Sequence, residues 1–166
     1  MMESSVFVCP VPFEQQPLNE YEELKESGLF RSCTLDLREY ITKLTWLWSG
    51  SWIVAGPVAA ASFAPYKHTA QFVLCGAAGA SVGVVLALVR LYLGWYYVST
   101  RLTSSTIFYE ESGWYDGQTW MKPIEVLTRD RLIFTYQVQP ILQRLQRTFG
   151  LMALLFLAGS LVWNFL

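Results

Sequence analysis

Three apolar stretches separated by two polar segments set the plan of this chain. The first, LTWLWSGSWIVAGPVAAASFA over residues 44–64, carries no charge. Its length, about 20 residues, suits a helix crossing a bilayer core at ~1.5 Å rise per residue. Pro57 falls inside it and predicts a kink, which membrane helices tolerate better than soluble ones. The second covers residues 70–97 and holds one charge, Arg90, near its end, where the side-chain stem can reach the interface. The third, FGLMALLFLAGSLVWNFL, covers residues 149–166 and, with a lead-in from residue 141, makes the segment 141–166. The expected fold class is therefore an α-helical membrane protein with three transmembrane helices. A cytoplasmic or stromal cap of short helices and a small β-hairpin completes it, built from residues 1–43 and the connector 98–140.

Within the second stretch, Cys75, Gly79, Gly83 and Ala87 recur every four residues. Ser51, Ala55 and Ala59 form a similar stripe on the first. Small residues at this spacing let helix backbones approach closely. Neighbouring helices joined by a short link usually pair, so the two stripes are expected to pack on each other, with a partner helix or a flat pigment as the alternative occupant. The aromatic residues Trp46, Trp48 and Trp52, and Tyr92, Trp95, Tyr96 and Tyr97, read as interfacial anchors.

The polar segments carry local signals. PVPFEQQP at residues 10–17 should be extended. Asn19 with Glu22 predicts a helix cap, Gly28 a helix end, and Asp36 the start of a helix running into the first span. In the connector, residues 98–102 are expected to pair with residues 106–109 as a hairpin. Ser112-Gly113 and Asp116-Gly117 predict turns. Pro123 should open a further helix, and Pro140 should kink or restart it.

Charge adds direction. The chain is 53% hydrophobic and only 15% charged, whereas soluble domains carry about 25% charge. A net charge of -1 provides no basic face for nucleic acid. Lys25, Arg31, Arg38 and Lys43 precede the first stretch, and Arg101, Lys122, Arg129, Arg131, Arg144 and Arg147 lie between the second and third. By the positive-inside rule the N-terminus and connector face the cytoplasm or stroma, and the C-terminus the opposite side. The first residues show neither a basic start followed by an apolar core nor an acid-poor leader, so insertion through the chain's own spans is expected. Cys9, Cys33 and Cys75 form no metal-binding pair.

The segment FYEESGWYDGQTWMKP holds the candidate chemistry. Adjacent carboxylates Glu110 and Glu111 would point to opposite faces of a strand. A catalytic site would need one of them to converge with Asp116 or Asp130, and ion pairs with Arg101, Arg129 or Arg131 are the simpler role. No metal site is expected, and no cofactor is indicated. The only histidine, His68, is placed across the membrane. No Ser-His-Asp set, P-loop or GxGxxG occurs, so nothing demands enzyme chemistry. Trp114, Tyr115 and Asp116, flanked by Glu110, Glu111 and Trp120, form the candidate partner-binding surface, because Trp and Tyr bury much area at little entropic cost.

CPVPFEQQPLNEYEELKESGLF, together with FYEESGWYDGQTWMKP and LTRDRL, resembles a membrane-protein family conserved across cyanobacteria, green-lineage plastids and diatoms. These are the hypothetical chloroplast reading frames, with a domain of unknown function. The resemblance implies a thylakoid or related photosynthetic membrane and a supporting role in photosynthesis, and it supplies no catalytic residue. The function expected is a non-catalytic accessory or assembly factor, with the lipid bilayer and subunits of a photosynthetic complex as partners. The alternative is a membrane-embedded enzyme or a pigment- or lipid-binding protein, using the small-residue face of the second helix and the connector acids.

Overall fold

The computed structural model describes residues 9–110 and 117–165. A 3-10 turn at Phe13–Gln15 leads into α1 (Pro17–Glu26) and the single turn α2 (Gly28–Arg31). Two long helices follow, α3 (Leu37–Ser62) and α4 (Thr69–Thr103). Strands β1 (Thr106–Tyr109) and β2 (Gln118–Met121) then precede α5 (Ile124–Ile133), a π-helical segment (Phe134–Val138) and α6 (Gln139–Trp163).

At the centre is α4, which touches α1, α3, α5 and α6. Val84, Leu88, Leu91, Trp95, Val98 and Leu102 recur every three or four residues, place one face inward and are all buried. Tyr21 of α1, Cys33, Tyr40 of α3, and Val138, Ile141 and Leu145 complete this core. The apolar period passes through residues 98–102 without interruption, so these residues extend the helix and do not form the expected strand. The partner of β1 is β2, antiparallel, with Ile107 opposite Trp120 and Tyr109 opposite Gln118.

Trp95 is fully buried, 6.2 Å from the Tyr21 ring, and is a core residue, not the expected surface anchor. Trp46 is exposed, whereas Trp48 donates from Nε1 to Ser81 Oγ at 3.1 Å and Trp52 lies on Gly76. The start of α1 also differs from expectation. Pro17 opens it, and Asn19 Nδ2 instead donates backward to the Phe13 carbonyl at 2.7 Å. Gly28 begins α2, where the sequence suggested a helix end. Asp36 precedes α3, which continues through Pro57 to Ser62.

Among the described residues two helices, not the expected three, are long and apolar enough to cross a membrane: α4, and the continuous helix Ile124–Trp163. The correction concerns α3. Its apolar stretch is diluted by Trp46, Trp48, Ser49, Gly50, Ser51, Trp52 and Pro57. Helix α3 nevertheless runs antiparallel along α4, with Ser51 against Gly83 and Ala55 against Gly79. At Pro140 the chain neither stops nor restarts. The missing N–H and the ring's clash with the preceding turn coincide with the wider π-helical turn just before it, and the helix continues to Trp163.

Candidate functional site

The cap gathers at the end of α4, where four carbonyls of any helix lack intrahelical partners. Lys122, delivered by the end of β2, answers two of them. Its Nζ donates to the Arg101 carbonyl at 2.9 Å and the Leu102 carbonyl at 3.3 Å. The third donor meets Asp130 Oδ2 of α5 at 2.7 Å. The side chains of Lys122 and Asp130 are 0% and 1% exposed. A buried cation is tolerable only when paired and fully hydrogen-bonded, and all three Lys122 donors are used. Arg129 Nη2 approaches the other Asp130 oxygen at 3.5 Å from the surface. This cluster ties β2, α4 and α5 together.

A second cluster joins the N-terminal segment to the hairpin. The Gln15 amide pairs with the Glu110 backbone as a strand would, accepting from Glu110 N at 2.9 Å and donating to Glu110 O at 3.0 Å. Arg101 reaches the Gln15 carbonyl at 2.6 Å and Glu20 Oε2 at 2.7 Å. Burial raises the Glu20 carboxyl above its ordinary value, and the adjacent Arg101 offsets part of that rise. The Tyr21 hydroxyl donates to Gln137 Oε1. Behind them, Val11, Ile107 and Tyr109 form a small apolar cluster with Cys9 and Trp120 packed on it. A recess of about 450 Å³ lies beside it, with Gln16, Glu125 and Arg129 among its polar walls.

The sequence-predicted residues divide as follows. Glu110 directly follows β1 with its backbone clamped by Gln15, and Trp120 is half-buried in the small apolar cluster. Glu111, Trp114, Tyr115 and Asp116 lie outside the described residues. The ion pairs foreseen for the connector acids fall differently: Asp130 takes Lys122, and Arg101 takes Glu20 from the N-terminal segment. Asp130 sits at the end of the hairpin opposite Glu110, so these two acids are not brought together. The Cys33 thiol is pushed up by burial, partly countered by Ser32, Trp95 and Arg144, which disfavours a reactive thiolate. Among the described residues no three His, Cys, Asp or Glu side chains group as metal ligands.

In the small-residue stripes, a Cβ at Gly79 would meet Ala55 Cβ at 3.2 Å, and one at Gly83 would meet Ser51 Oγ at 2.6 Å. Ala59 is buried, while Cys75 and Ala87 are half-buried. Gly76, next to this stripe, leaves the least room of the three α4 glycines that face α3, with 2.5 Å from a notional Cβ to the Trp52 ring. Sequence reasoning missed the Lys122–Asp130 pair and the Gln15 clamp. Both join residues that look unremarkable alone and meet only through the tertiary fold.

The segments that supply these contacts also carry the likeness to known proteins. Residues 9–151 match the family described as CGLD27-like, conserved in the green lineage and diatoms 27. The chain belongs to the CGLD27-like family. A chloroplastic protein of Arabidopsis thaliana named for that conservation is 48% identical over 139 residues, 83% of this chain. This chain spans only 42% of that relative's length. An uncharacterized ycf36 protein of Porphyra purpurea is 42% identical over 93% of this chain and 94% of its own. Another from Cyanophora paradoxa is 44% identical over 89% of this chain and 92% of its own. No solved structure matches the chain.

Proposed function

We propose that this CGLD27-like protein is a non-catalytic accessory or assembly factor of a photosynthetic membrane complex, docking through its cap. The observation that carries the reading is the joining of the two polar motifs. Gln15 and Glu20 from the N-terminal segment, and Glu110, Lys122 and Asp130 from the connector, are stitched to the end of α4. Such a base holds β1 and β2, so Trp114 and Tyr115 fall in sequence between two anchored strands. Glu20 and Asp130, committed to ion pairs, are poorly suited to proton transfer.

Membrane insertion is supported by the outward face of α6. Leu151, Leu154, Leu155, Leu157 and Leu161 are all exposed, an arrangement suited to lipid and costly in water. With α4 and α6 in the bilayer, α3 is carried beside α4. The basic residues around the cap favour the cytoplasmic or stromal side for it, and the plastid names of the relatives favour a thylakoid membrane.

The test is the double variant Trp114→Ala/Tyr115→Ala expressed in place of the native protein. We expect the protein to accumulate normally while one photosynthetic complex falls in abundance. Normal abundance of every such complex, with the variant present at its usual level, would overturn the reading.

A further inference from the structure

Helices α3 and α6 both pack on α4 but stand apart from each other over most of their length, leaving a lateral groove of about 1280 Å³. Its floor is supplied by α4, with the small residues Ala77, Ala78 and Ser81 between Leu74 and Val84. Two contacts span the groove between α3 and α6. Toward the cap, the hydroxyls of Tyr40 and Thr148 meet at 3.1 Å; at the far end, the Phe63 and Trp163 rings contact edge-on at 5.5 Å. A partner helix about 10 Å wide lying along the groove would have to clear both contacts. A flexible chain need not.

The chemistry of the walls is graded. Among the described residues no Asp or Glu lines the groove, and its charges are Arg144 and Arg147, both at the cap end. Arg144 is already engaged, donating from Nη1 to the Cys33 and Leu35 carbonyls at 3.1 and 2.6 Å and lying over the Tyr40 ring. Arg147 is exposed and has no hydrogen bond or ion pair among the described residues. Beyond them the α6 wall is apolar through Leu151 and Leu155 to Gly159. From Arg147 to Gly159 the helix rises about 18 Å, close to the ~15 Å depth of one leaflet of the hydrocarbon core.

We infer that this groove holds an anionic membrane lipid, with its headgroup on Arg147 and Arg144 and an acyl chain along the α4 floor. Guanidinium groups pair with phosphate or sulfate oxygens through two parallel hydrogen bonds. Basic pockets between membrane helices on the cytoplasmic side are suited to anionic headgroups. An acyl chain restores the dispersion contacts that an empty apolar groove forfeits. This inference shares the membrane reading of α4 and α6 but is independent of any partner at the cap.

Native mass spectrometry of the full chain in mild detergent, titrated with phosphatidylglycerol or phosphatidylcholine, tests it. Phosphatidylglycerol should be retained more strongly, and Arg147→Gln should weaken that retention about 10-fold, the worth of one charge-assisted hydrogen bond. Ala78→Phe, which fills the floor from an exposed position, should abolish the adduct while circular dichroism shows unchanged helix content. Equal retention of the two lipids, retention indifferent to both variants, or a pigment or partner helix in place of lipid would each overturn the proposal. Cap docking would remain untouched by any of these outcomes, because its readout is complex abundance.

Discussion

At the capped end of the bundle, Lys122, Arg101 and Gln15 hold four separate segments through short, directional bonds to carbonyls and carboxylates. At the other end, α3 and α4 meet through Gly76, Gly79 and Gly83, and one bond there, Trp48 Nε1 to Ser81 Oγ, joins the two helices. The first region withdraws charges from solvent and must satisfy each of them. The second depends on shape, since its small residues let the two helix backbones approach closely. The contrast teaches where each region is vulnerable: the cap to loss of a single polar group, the helix pair to gain of a single methyl.

The largest effect is expected at the buried pair. Lys122→Ala strands the Asp130 carboxylate and two helix-end carbonyls, and should cost about 3–5 kcal/mol of unfolding free energy. The double variant Lys122→Met/Asp130→Leu removes both charges and should be milder than either single change. Denaturation in mixed micelles reads both, and a double variant worse than its singles would break the electrostatic account.

Next comes the helix contact. Gly76→Ala would press a methyl to 2.5 Å from the Trp52 ring, itself edge-on between Trp48 and Phe72. Such overpacking costs about 1–3 kcal/mol. Gly150→Ala meets nothing within 4 Å and should be neutral or gain up to about 1 kcal/mol from helix propensity. Equal behaviour of the two glycines would remove the case for shape-limited packing.

Gln15→Ala should cost about 1–2 kcal/mol, two net hydrogen bonds, and faster exchange of the Glu110 amide is its specific signature. Unchanged exchange there would show that the clamp does not hold the hairpin.

The smallest effect is a pH dependence at Glu20. Its folded carboxyl titrates above its ordinary value because of burial. The associated stability is therefore fully present below the ordinary carboxylate range and is lost as pH rises through the folded value. Glu20→Gln should flatten that slope, seen as the difference between the two stability–pH curves. An identical slope in the variant would assign the dependence to another group.

How legible this was depended on range. The apolar run of residues 70–97 disclosed α4, because it is read within one helix. The buried period of α4 runs on through Val98 and Leu102, but the β-branched and aromatic residues beyond it suggested a hairpin one strand too early. Only the tertiary burial of α4 decides that competition. Trp95 looked like an interfacial anchor because it stands among tyrosines, yet α1 folds over it and makes it core. The third apolar stretch was read correctly as helical, with Pro140 absorbed by a π-helical turn that composition does not announce. Spacing held no sign of the Gln15–Glu110 or Lys122–Asp130 contacts. The motif resemblance marked those residues without saying why they matter.

Affinity purification of the tagged protein from its own membranes in mild detergent tests the central claim most directly, with co-purifying proteins compared against an untagged control and against Trp114→Ala/Tyr115→Ala. The account predicts recovery of subunits from one photosynthetic complex, lost with the double variant while the protein itself is still recovered. A preparation carrying no such subunits, or the same subunits with and without the two aromatic residues, would contradict docking through the cap.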